Sequence, residues 1–208
     1  MTWLLENPHA ALDALLGHML LVGQALAISL AIAFPLGIWS ARRPRAYTGV
    51  LLVTGILYTV PALALFALLI PLLGLGRGPA VTAIVLYSLL ILVRNIVVGL
   101  QAVPADVLEA ADGMGFGWWR RLAAIELPLA APVIIAGIRL TVVTQISVAT
   151  VGAFIGAGGL GDLIFEGITQ DIGEKVLVGA VLASVLAVLS DMLLRRLECR
   201  MTLPRETA

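Results

Sequence analysis

The stretch EAADGMGFGWWRRLAAIELP, from Glu109 to Pro128, is the one sizeable polar island in an almost continuously apolar chain. It carries Glu109, Asp112, Arg120, Arg121 and Glu126 among glycines at 113, 115 and 117. Pro104 suits the first turn of a helix, with Asp106 and Glu109 near its positive end. A helix over about 105–112 is therefore expected, stopped by glycines that reach open backbone angles. A second helix, Trp118 to Glu126, is expected to follow and to end at Pro128. Two short helices joined by a glycine turn make a compact knob. A helix of about eight residues is marginal in water and needs a partner surface. A loop of this length between apolar runs is usually kept for docking.

Of the 208 residues, 61% are hydrophobic and 12% are charged, with a mean hydropathy of +1.06. Soluble domains carry about a quarter charged residues, so this composition suits a lipid bilayer. The formal net charge of +0 leaves no nucleic-acid footprint. Cys199 is the single cysteine, which excludes an internal disulfide and a cysteine zinc site. His9 and His18 have no companions at metal-ligand spacing, and no metal or cofactor is expected. No Lys or Arg precedes the first apolar run, which argues against a secretory signal peptide.

The apolar runs predict five transmembrane helices at about 16–39, 50–73, 79–100, 130–153 and 173–194, with a loop at 101–129. The fold class is an all-α integral membrane protein, one transmembrane domain over residues 1–208. Pro35 is expected to bend the first span, and Pro61 to kink the second and free a carbonyl one turn earlier. Gly152 and Gly156 form a GxxxG pair suited to close helix contact. The glycine run that follows marks a tight bend before a mostly acidic loop at 156–175. Arg94 and Arg139 lie inside spans, where snorkelling or pairing with loop carboxylates relieves their cost. Asp191 is within reach of an ion pair with Arg195. Basic residues decide the orientation. Arg42, Arg43, Arg45, Arg120, Arg121, Arg195, Arg196, Arg200 and Arg205 fall on one side, against Arg77 and Lys175 on the other. That asymmetry places the N-terminus outside and both the loop and the C-terminus in the cytoplasm.

Glu109-Ala110-Ala111, Gly115, Ile125 and Leu127-Pro128 together resemble the EAA loop of ABC-importer permeases. Seven specified residues at fixed spacing arise by chance less than about once in a million start positions. The resemblance implies that Glu109, Ala110, Ala111, Gly113, Gly115, Arg120, Arg121, Ile125, Leu127 and Pro128 dock on an ATPase subunit. Five spans with the loop between the third and fourth look like the methionine-importer type of permease, over nearly the whole chain. Three stretches resemble its osmoprotectant branch, which takes glycine betaine, choline and carnitine. They are Val60-Pro61-Ala62-Leu63-Ala64-Leu65 leading to Ile70–Gly74, Leu86–Leu90 leading to Arg94-Asn95, and Gly156–Phe165. Ala62 stands where that branch usually carries Ser.

What the resemblance implies is a non-enzymatic permease in a bacterial-type inner membrane. Its partners would be two cytoplasmic ATPase subunits, a second permease (identical or paralogous) and an extracytoplasmic solute-binding protein. A permease for methionine or another amino acid, a secondary carrier and an intramembrane enzyme are the competing readings. The enzyme would need a polar constellation inside the spans, and the carrier has no use for the loop. Tyr58, Thr59, Tyr87, Thr144, Gln145, Ser147 and Thr150 are the candidates for a weakly polar solute path. Each serves equally well as a helix–helix hydrogen bond.

Overall fold

The computed structural model describes residues 2–201, which are helical with no strand among them. Arg205, counted above with the basic tail, lies outside the described residues. A short α1 (Thr2–Glu6) leads into α2 (Pro8–Ala41), which continues unbroken past Pro35. Next come α3 (Pro44–Thr59) and α4 (Ala62–Leu73), then α5 (Arg77–Gln101). The loop folds as α6 (Ala105–Gly113) and α7 (Trp118–Arg121). The chain closes with α8 (Leu127–Gly152), α9 (Leu160–Thr169) and α10 (Gly173–Met201).

Four helical stretches are long and apolar enough to cross a membrane, five if α3 and α4 count as one broken span. That pair bends by 99°, far more than a proline kink. Val60, forced out of the helical region by the following proline, is extended at φ −67° and ψ 127°. Breaking a helix at membrane depth strands carbonyls, and three of those at this break find donors. Val60 N–H bonds the Leu57 carbonyl at 3.3 Å, and Thr59 Oγ1 donates to Ile56 at 2.7 Å. The Tyr87 hydroxyl, reaching over from α5, donates to the Val60 carbonyl.

The core is built on α5. In the most apolar window of α5, 61% of residues are buried, against 11% for α10. The first is therefore the central helix and the second a peripheral one. Leu21, Ala25, Phe66, Ile84 and Ile146 fill the half of the core away from the loop. Ala33, Leu92, Ile96, Ala130 and Ile134 fill the half next to it. Small residues let the helices close: a Cβ on Gly137 of α8 would meet Asn95 of α5 at 2.4 Å.

Three expectations are corrected. The second helix of the loop does not stop at Pro128. Leu122–Glu126 forms a π-helical turn that joins α7 to α8, giving one run from Trp118 to Ile155. Leu127 N–H bonds the Leu122 carbonyl, five residues back, so Pro128 enters where the ladder changes pitch and its missing N–H is absorbed. Gly152 and Gly156 do not share a helix face, because the helix turns 3-10 over Ala153–Ile155 and Gly156 adopts φ +78°. Asp191 pairs across to α8, with its Oδ1 2.8 Å from Arg139 Nε, rather than along its own helix to Arg195. Glu198 holds the same guanidinium at 2.5 Å. Arg139 is thus neutralised by α10, not by loop carboxylates, while Arg94 is exposed.

Candidate coupling surface

The turn after α6 shows why the loop has its shape. Phe116 N–H bonds the Ala111 carbonyl at 3.1 Å, and Gly115 N–H bonds Asp112 at 3.0 Å. These are the two bonds of a Schellman cap, which requires a left-handed residue between them. Gly115 supplies it at φ +77°. A Cβ on Gly115 would meet nothing within 4 Å, and the same holds for Gly113. Only backbone angle, and not space, demands glycine at 115.

Around this turn the predicted residues divide into two faces. Ala111 is buried and turned inward, while Glu109, Ala110 and Gly113 are exposed. Met114 and Trp119 are exposed large hydrophobics, at 67% and 75%. Arg120 lies over the Phe116 ring, 4.4 Å from its centroid, and Trp118 meets Trp119 edge-on at 4.1 Å. Ile125 and Leu127 are half-buried and Pro128 is exposed, as α8 begins. The outward face is thus mixed apolar and charged.

The inward face holds what the sequence did not reveal. Glu126, with a side chain only 2% exposed, accepts from Arg121 Nε at 3.0 Å and from Arg42 Nη2 at 2.5 Å. Arg121 Nη1 also lies 2.6 Å from both oxygens of Asp112 on α6. A chain Asp112–Arg121–Glu126–Arg42 therefore runs from the exposed helix α6 to the end of α2. Arg121 is held above the usual arginine range, first by its bond to Asp112. A carboxylate this buried is tolerable only with such partners. Nothing in linear spacing joins Arg42 to Glu126, 84 residues apart.

The candidate path residues fall in separate places. Gln145 is buried and donates to Ser88 at 2.7 Å and Ser29 at 3.3 Å, tying α8 to α5 and α2. Tyr87 is buried, with Tyr58 edge-on at 5.7 Å. Thr59, Thr144 and Thr150 each donate to a carbonyl of their own helix. Ser147 and Thr150 line a cavity of about 220 Å³ with Ile164 and Ser184. At the end away from the loop, His18 is wholly buried. It accepts from Leu160 N–H at its Nδ1 and lies 3.2 Å from the Ile146 carbonyl at its Nε2. No local pattern around this histidine signals that it joins α2, α8 and α9.

Residues 33–203 match the family described as "Binding-protein-dependent transport system inner membrane component". The carnitine transport permease protein OpuCB of Listeria monocytogenes is 38% identical over 201 residues, 97% of this chain and 92% of the relative. The osmoprotectant import permease protein OsmW of Salmonella typhimurium is 40% identical over 205 residues, 96% and 95% of the two chains. Among solved structures, an inward-facing form of the MetNI methionine ABC transporter aligns with a TM-score of 0.83 at 19% identity, covering 95% of this chain and 99% of that one. At that identity the likeness concerns the fold alone. Family match and relatives agree along almost the whole length, so this chain belongs to the inner membrane components of binding-protein-dependent transport systems.

Proposed function

We propose that the chain is the permease subunit of an ATP-driven importer for a small compatible solute such as glycine betaine, choline or carnitine. The solute assignment rests on relatives about 40% identical across both chains and named for osmoprotectant and carnitine import. Coupling rests on one geometric observation: a capped helix, α6, presents Glu109 and Ala110 outward while Asp112 ties it to α2 through Arg121 and Glu126. In this reading two ATPase subunits hold the α6 helices of two permeases, identical or paralogous. Closure of the ATPases moves α6, and the ion-pair chain carries that motion into the spans. The loop and C-terminus lie in the cytoplasm. Half-buried Thr144 and exposed Ser147 of α8 border a weakly polar path shared with the second permease.

Solute selection belongs mainly to a separate extracytoplasmic binding protein. A quaternary ammonium is held best by several aromatic faces around one point, and here Tyr58 and Tyr87 form one edge-on pair. The decisive experiment is uptake into proteoliposomes holding the permease, its ATPase and the binding protein. Labelled glycine betaine or choline should enter with ATP and be displaced by its analogues, not by methionine. Displacement by methionine instead would move the chain to the amino-acid importers. A cysteine at Thr169→Cys should label from outside and one at Phe116→Cys only after permeabilisation; the reverse pattern would invert the orientation.

A further inference from the structure

Where α2 ends, a groove of about 540 Å³ opens between the inner turns of that helix and the start of α7. Its walls are Phe34, Ile38 and Trp39 on one side and Trp118 and Trp119 on the other. Arg42 and Arg43 stand at its mouth, and a second groove of about 420 Å³ continues from them to Arg45. No acidic residue lines either groove. Arg42 is engaged by Glu126, but among the described residues Arg43 and Arg45 have no carboxylate partner. Phe34 lies eight residues before Arg42, about 12 Å along the helix axis. The groove thus starts at the polar boundary and reaches into the apolar zone.

We infer that this groove holds an anionic phospholipid, with one acyl chain along the aromatic wall and the phosphate on Arg43 and Arg45. The occupant must be apolar for about 12 Å and anionic at one end, and only an amphiphile meets both demands. Guanidinium forks match phosphate oxygens in pairs, and tryptophans are at home at the headgroup level. A water-soluble partner docked on α6 would reach the arginines but not Phe34 and Ile38. The volume is within the range of roughly 300–1,000 Å³ typical of small-molecule sites. The lipid would touch Arg42 and the Trp118–Trp119 arm together, so it would bridge both sides of the ion-pair chain. This inference needs a membrane-embedded chain but no particular solute.

The test is native mass spectrometry of the full chain purified in detergent with phosphatidylglycerol or phosphatidylcholine added at equal mole fraction. One phosphatidylglycerol per chain should be retained in preference to phosphatidylcholine. Arg43→Gln with Arg45→Gln should weaken that retention by about 30-fold, at the worth of basic residues near an anionic surface. Both arginines are exposed, so the variant should remain monodisperse. Arg195→Gln with Arg196→Gln, in a groove without an aromatic wall, should change retention less than about threefold. Equal retention of the two lipids would overturn the proposal, as would equal losses in the two double variants. Loss of the ATPase subunit from the Arg43/Arg45 variant, with lipid retention unchanged, would assign the groove to a protein partner instead.

Discussion

The loop end and the far end of this molecule both depend on glycine, for opposite reasons. At the loop, Gly115 has open space around its missing Cβ and is needed only for its left-handed angle. At the far end, a Cβ on Gly161 of α9 would come within 2.1 Å of the Thr150 carbonyl on α8. There the demand is for contact between backbones. The polar groups differ in the same way. Glu126 is shared by three elements and connects an exposed helix to a span. His18 instead closes a buried junction of α2, α8 and α9. One end is tied together yet open on its outer face, as a moving contact needs. The other is sealed, as a fixed rim needs.

The widest separation between the ends should come from Gly161→Val. A side chain forced against backbone cannot be relieved by rotamer change, so the far end should lose about 3 kcal/mol or more. Thermal unfolding in detergent should show the loss, and a shift under about 2 °C would remove the sealed-rim account. Glu126→Gln should cost less, about 2 kcal/mol, because its partners are partly solvated. Its distinctive effect should be on coupling: more ATP hydrolysed per solute imported, with the ATPase still bound. An unchanged ratio would reduce the ion-pair chain to a structural tie.

Gly115→Leu should cost about 1–2 kcal/mol through the left-handed angle alone, yet uptake should fall severely because α6 loses its cap. Asparagine tolerates that angle, so Gly115→Asn should keep most activity. Equal loss in both variants would mean that a partner packs on the glycine itself. The smallest effect concerns Asp162 on α9, whose carboxyl is raised above the usual range, first by burial and then by Glu166. A raised acid binds its proton more tightly when folded. Stability should therefore increase as pH falls through the raised value toward the ordinary one, and decrease as pH rises. Asp162→Asn should flatten that dependence in unfolding scans.

Much of this was legible in the chain. The uncharged runs located the spans, and glycines beside Trp118 marked the loop turn, because hydropathy and backbone freedom are local properties. Pro61 was visible as a breaker, but not the size of the bend. An uncharged run reads as one helix whether straight or folded, and the carbonyl exposed by the 99° turn is met by Tyr87 from another helix. Asp191 offered a near partner in sequence, Arg195, and took a distant one, Arg139. Glu126 reads in sequence only as a loop charge, since Arg42, the partner that meets it in the fold, lies 84 residues away. Local patterns revealed where the chain turns; they could not reveal which side chains the turns bring together.

The unbroken helical run from Trp118 to Ile155 has a mechanical consequence. Its 38 residues span about 57 Å at the helical rise, so a tilt of about 5° at one end sweeps the other by about 5 Å. A displacement of that size is comparable to one helical turn. The π turn over Leu122–Glu126 lies close to the end where force would be applied. With the far end held in the buried junction of α2, α8 and α9, such a tilt would be felt chiefly at the loop end. The sweep per degree of tilt is fixed by the length of one helix.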